Sequence, residues 1–96
     1  MAEHIVKTHP VYFDAVKRGD KRFEIRRDDR GYQKGDILVQ QRCREDKPTE
    51  VDCFFDVYPM KARHELRHRI GWILTGGQFG IEPGFVIMQL EALEAE

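Results

Sequence analysis

The sequence predicts an α+β domain that is mainly β, a small mixed β-barrel of about five to six strands with one or two flanking helices. Three observations carry that expectation. Ninety-six residues, 41% hydrophobic and 34% charged, are too few for two cores and too apolar for disorder. Short apolar stretches, several of them alternating with period two, are separated by turn residues along most of the chain. One segment alone is framed as a helix, with Pro10 at its first position and Gly19 just past its end. A chain of this size buries only about two-thirds of its unfolded surface, which excludes a large multi-layer enzyme. No repeat, low-complexity tract or linker divides it, so residues 1–96 read as one domain with an acidic tail at 91–96.

His4 to Lys7 reads as the first strand, and Pro10 to Arg18 as the helix, with Tyr12, Phe13, Ala15 and Val16 on its apolar side. Lys21 to Arg27 alternates: Phe23 and Ile25 point one way, toward the expected core, and Arg22, Glu24 and Arg26 point the other. Asp28-Asp29-Arg30-Gly31 and Lys34-Gly35-Asp36 are turn chemistry, and Ile37 to Gln41 is the next strand. Glu45 to Glu50 is a polar loop containing Pro48, and Val51 to Val57 is apolar enough for a strand or a loop cover. Glu65 to Leu74 alternates again, with Leu66, Ile70, Trp72 and Leu74 on one side, Trp72 being expected in the core. Thr75-Gly76-Gly77 ends it. Gly84 to Leu90 is apolar on both parities, as expected of a strand buried on two faces.

The net charge of −1 hides a segregation of charge. Lys17 to Lys34 holds eight cations against four acids, and Lys61 to Arg69 holds four against one. The balancing acid lies in Glu45 to Asp56 and in Glu82 to Glu96, a pattern that builds either a basic patch on a neutral protein or two solvated strand faces. No window approaches the roughly 18 apolar residues of a membrane span, and Met1-Ala2-Glu3-His4 lacks the regions of a signal peptide. The expected address is cytoplasmic, with no membrane partner and with Cys43 and Cys53 as reduced thiols.

His64-Glu65-Leu66-Arg67-His68 spells HExxH. On a helix the two histidines would share a face and bind zinc, with the glutamate activating water. Gly71 interrupts a helix there, and the alternation through Trp72 and Leu74 favours a strand, on which Glu65 faces away from both histidines. A third ligand at suitable spacing is also missing, so no metal and no other cofactor is expected.

The densest functional signal runs from Gly19 through Lys21, Phe23, Glu24 and Arg26 to Arg30. Here the sequence resembles the ASCH family (activating-signal-cointegrator homology) of the PUA-like superfamily, in particular a group of small bacterial and phage domains. That group's pattern is a helix opened by His-Pro and containing Tyr-Phe, then GxKxFExR, NDR, an aromatic, GD and an apolar residue. This chain supplies His9-Pro10, Tyr12-Phe13, Gly19, Lys21, Phe23, Glu24, Arg26, Asp29-Arg30, Tyr32, Gly35-Asp36 and Leu38. Gly76 to Ile81 and Gly84-Phe85-Val86 also look like the group's closing strand pair. The likeness covers Ile5 to Leu90 apart from Cys43 to Arg63. It departs at Asp28, where the group has asparagine, and in a longer segment from Arg44 to Arg63.

The resemblance implies a PUA-like barrel and a nucleic-acid-binding module, with RNA as the first expected partner. Lys21, Arg26, Arg27 and Arg30 would then hold phosphates, Glu24 would read a base edge, and Tyr12, Tyr32 or Trp72 would stack on bases. An alternative implied by the same family is a hydrolase acting on a modified nucleoside or on RNA. In its amidohydrolase pattern a lysine and a threonine three residues later act with a distant glutamate. Lys21 matches that lysine, but Glu24 stands in the threonine's place, so the enzyme version would use Glu24 as base and Lys21 as partner of a developing oxyanion. A third reading is a protein-interaction accessory of a phage or mobile element.

Overall fold

A computed structural model describes residues 1–93. The elements are β1 (Glu3–Thr8), α1 (Pro10–Lys17), β2 (Phe23–Arg27), β3 (Ile37–Arg42), β4 (Glu65–Thr75) and β5 (Phe85–Glu91). The five strands form one sheet in the order β1-β3-β4-β5-β2, curled into a half-barrel. β1 and β3 are parallel, and the other three pairs are antiparallel. Of the acidic tail expected at 91–96, Glu91 ends β5, and residues 94–96 lie outside the described residues.

The helix begins and ends where the sequence expects. Pro10 occupies its first position, where a missing N–H costs nothing. At its other end Gly19, at φ 87°, donates to the Val16 carbonyl at 3.1 Å while Asp20 donates to Ala15 at 3.0 Å. This is a Schellman cap, and it turns the chain sharply toward β2. The curled sheet and α1 enclose a core of Val6, Val16, Tyr32, Leu38, Ile70, Val86, Met88 and Leu90. Arg42 ties helix to sheet through both oxygens of Asp14, at 2.8 and 2.9 Å.

Register assigns the inner face. Glu24 lies opposite Met88, and Arg26 opposite Val86, so the even residues of β2 point inward. The alternation expected in this strand is present with its polarity reversed: Glu24 is 4% exposed, while Phe23 and Ile25 are 43% and 49% exposed. The expectation of a core Phe23 and Ile25 is thus corrected. The cause is tertiary, since three donors inside the half-barrel compensate the buried carboxylate. Trp72 also leaves the core. Between Ile70, which pairs with Leu90, and Ile73, which pairs with Met88, β4 carries one extra residue. That bulge flips the parity and turns Trp72 outward, 64% exposed.

β5 alternates as well. Val86, Met88 and Leu90 are buried, but Phe85 and Ile87 are half-buried, because α1 packs on the inner side of the sheet. Val51 to Val57 takes the loop alternative, touching the rest of the chain through isolated bridges from Cys43 to Val51 and from Cys53 to Ala62. No described helix is long and apolar enough to cross a membrane.

Two polar nodes hold the edge strand β1. The Ala2 and Thr8 carbonyls accept from Ile37 and Cys43 of the β3 side, which leaves the odd-numbered carbonyls facing the open edge. Arg30 Nη1 donates to Ile5 O at 2.8 Å and Arg26 Nη2 to Lys7 O at 2.7 Å, so side chains take carbonyls that no described strand pairs. At the start of β1, Asp36 is buried and accepts from the Ala2 and Gln33 backbone amides and from the His4 ring at 2.8 Å. The His4 hydrogen bond first, and the Ala2 amide next, hold the Asp36 carboxyl below its ordinary value. A depressed carboxylate contributes stability that is complete above its unfolded pKa of about 3.9 and is lost as pH falls through the folded one. Thermal midpoints measured from about pH 6 down to about pH 2.5 should fall less steeply for Asp36→Asn than for the parent. Parallel acid limbs would mean that Asp36 does not carry this linkage.

Candidate functional site

The cap that stops α1 delivers Lys21 to the head of β2. Its ammonium donates to Phe23 O and to Glu24 Oε1, both at 2.9 Å. The other carboxylate oxygen accepts from Gln40 Nε2 at 2.8 Å and from Arg26 Nη2 at 3.2 Å. That same Arg26 nitrogen lies 3.2 Å from Thr8 Oγ1. Burying a lone carboxylate costs several kcal/mol, and here two cations and an amide offset it. Arg26 Nε and Gln40 Oε1 remain buried without a partner among the described residues. Each such group costs about 1–3 kcal/mol while it stays unmet.

A hollow of about 320 Å3 opens over this cluster, lined by Tyr12, Lys21, Phe23, Glu24 and Ile25. The Lys21 ammonium lies 4.9 Å from the Phe23 ring centre and 5.5 Å from that of Tyr12. Two of its three N–H groups have protein acceptors, which leaves one for a ligand. The arrangement offers aromatic faces, a free cationic donor and a fixed carboxylate within one small concavity.

Of the residues singled out in the sequence, Tyr12, Lys21, Glu24 and Arg26 come together here. Arg27 does not: it points to the outer face, its guanidinium 4.8 Å from the Phe85 ring centre. Arg30 is bound to the β1 edge. Tyr32 is 5% exposed and packs edge-on to His4 at 4.8 Å, so it is a core residue and cannot stack on a base. Burial also raises its phenol above the ordinary value. Asp28, the departure from the asparagine pattern, accepts from the Tyr32 amide at 3.2 Å and so organises the turn.

Sequence reasoning passed over Gln40 and Thr8. The signal was available in parity: once Leu38 points inward, Gln40 must also, and a buried amide requires partners. Phe23 and Ile25 line the hollow rather than fill the core.

The HExxH segment is a strand from Glu65 onward. Glu65 accepts from Gln41 at 2.7 Å, and His68 is half-buried beside Lys21 and Arg22, its imidazole pKa lowered by burial. Among the described residues no three His, Cys, Asp or Glu side chains are grouped to hold a metal. The long Arg44 to Arg63 segment carries its own ion pairs, Arg44 with Asp46 and Glu50, Lys47 with Glu50 and Arg63 with Asp52. None of its residues lines the Glu24 hollow.

Residues 3–90 match the family described as "Domain of unknown function (DUF3850)", and the chain belongs to that family. It is also similar to the "Uncharacterized 12.9 kDa protein in GpA 3'region" of Escherichia phage P2, 53% identical over 36 residues. That stretch is 38% of this chain and 33% of the phage protein, so the match spans about a third of the relative's length.

Removing one member of a buried charged cluster costs about 3–5 kcal/mol. Urea unfolding should therefore show Glu24→Ala destabilised by about 3 kcal/mol or more, because Arg26, Lys21 and Gln40 all lose their acceptor. Lys21→Ala should cost only about 1 kcal/mol, since two donors remain on the carboxylate. Equal losses for the two variants would contradict this division of roles.

Proposed function

We propose that this member of the DUF3850 family is a nucleic-acid-binding module, with single-stranded RNA as its partner. The observation that carries the reading is the hollow at Glu24, where the Lys21 ammonium is held between two aromatic rings over a fixed carboxylate. A nucleobase entering it would meet the Tyr12 and Phe23 faces and place an acceptor on the free Lys21 donor. Cations outside the cluster supply the attraction for phosphate. Among the described residues, Lys7, Arg22 and Arg27 form no ion pair, whereas Arg26 is paired with Glu24 inside the cluster and Arg30 lies 4.0 Å from Asp29. The likeness of the Gly19 to Arg30 motif to ASCH domains points the same way.

A binding role fits Glu24 better than a catalytic one. Its oxygens already accept from three donors, which hold it as an anchor of the fold. A base must have an oxygen open to the proton it removes.

The test is RNA binding across a salt series, with the reaction mixtures checked for released nucleosides or fragments. The parent should bind, the affinity should fall steeply with salt, and no product should appear. Lys21→Ala and Tyr12→Ala should each weaken binding by about tenfold. Absence of binding at low salt would end this reading, and products released by the parent would replace it with a hydrolase.

A further inference from the structure

The outer face of the sheet carries a row of apolar side chains that the fold leaves uncovered. Leu74 of β4 lies opposite Ile87 of β5, which in turn lies opposite Ile25 of β2. One step along, Phe23 lies opposite Gln89, and beside Gln89 stands the bulged Trp72. A hollow of about 270 Å3 is formed by Arg22, Phe23, Trp72, Leu74, Ile87 and Gln89.

Trp72 is not exposed by default. An unbroken strand would carry it inward beside Ile70, where its indole would bury more area than any other side chain in the domain. The bulge reverses this. It is fixed in place, since the Trp72 amide donates to the Gln89 side-chain oxygen at 3.3 Å. Bulges of this kind re-aim a side chain.

The hollow beside Trp72 and the hollow over Glu24 are neighbours, with Phe23 as a wall of both. The outer hollow includes one cation, Arg22, and no acid. Arg22 is without an ion pair among the described residues, its Nε donating only to Gly19 O at 3.3 Å. Arg27 flanks the same face. An apolar, aromatic hollow with a cationic rim suits a stacked base and its phosphate, and its lack of acids disfavours a basic protein segment.

We propose that Trp72 forms a second base-stacking subsite, so that the domain holds two neighbouring bases of one RNA strand on either side of Phe23. The inference rests on the binding reading above. It adds that recognition spans at least a dinucleotide step, with the second base on Trp72 and its phosphate near Arg22.

Trp72 is the single tryptophan of the chain, so its fluorescence reports this subsite alone. A short single-stranded RNA oligonucleotide and a nucleoside monophosphate are titrated into the parent, Trp72→Ala, Trp72→Phe and Lys21→Ala proteins. The oligonucleotide should quench Trp72 in the parent. Trp72→Ala should bind it about tenfold more weakly and Trp72→Phe less than about threefold more weakly, and the monophosphate, which can still occupy the Glu24 hollow, should lose less affinity in Trp72→Ala than the oligonucleotide does. Oligonucleotide affinity unchanged in Trp72→Ala, with Lys21→Ala still impaired, would overturn the second subsite and leave the first standing. No RNA binding by the parent would remove both. If sedimentation shows a dimer that Trp72→Ala dissociates without altering RNA affinity, the face serves self-association and the proposal falls.

Discussion

Glu24 accepts from Lys21, Arg26 and Gln40, and through those three donors it joins the turn after α1, the edge strand β2 and the interior strand β3. Arg26 extends the link to β1, where its guanidinium takes the Lys7 carbonyl. In the sheet order β1 and β2 are the two edges, so this chain of polar contacts spans the gap that a closed barrel would fill with backbone hydrogen bonds. A carboxylate at that point also decides which face of β2 is inside. With Glu24 inward, Phe23 and Ile25 must be outward, and both hollows described above exist because of that choice.

The strand β1 is held by polar nodes at either end. Asp36 gathers the Ala2 amide, the Gln33 amide and the His4 ring at one end, and Arg26 with Thr8 holds the other. Between them Arg30 takes the Ile5 carbonyl. An edge strand left open is a template for another chain to pair with, and covering its carbonyls with arginine side chains removes that hazard at no cost in net positive charge. Arg26 and Arg30 thus serve the fold first, with the Arg26 charge also held by Glu24 and the Arg30 charge 4.0 Å from Asp29.

Most of the architecture was legible in the sequence because it depends on local chemistry. Pro10 and Gly19 frame the helix by backbone constraint, and period-two alternation marks β2 and β4. What was not legible depends on partners far along the chain. Nothing local to Lys21–Arg27 says that Gln40 will receive Glu24 or that Thr8 will receive Arg26, so the ordinary preference for apolar residues inside assigned the faces the wrong way round. One inserted residue in β4 had the same effect on Trp72, since alternation cannot show where a ladder slips. Tyr32 was read as a stacking aromatic in a turn, but Asp28 draws its backbone in and the His4–Asp36 pair accepts its ring against the core. The residues of the candidate hollow were therefore identified better than their orientation.

Charge segregation survives folding, and the reason is where each sign finds its partner. The acidic stretch Glu45 to Asp56 is largely neutralised close to home, by Arg42, Arg44, Lys47 and Arg63. The basic stretch Lys17 to Lys34 is not. Of its four acids, Asp20 pairs with Arg18 and Asp29 lies 4.0 Å from Arg30, Asp28 builds a turn, and Glu24 enters the buried cluster, where one carboxylate faces two cations. Arg22 is left beside Phe23 and Trp72, the aromatics that the inward Glu24 and the bulge in β4 have exposed, and Arg27 stands farther along the outer face over Phe85. Cation and aromatic face are thus brought together over two adjoining hollows by the same two structural decisions.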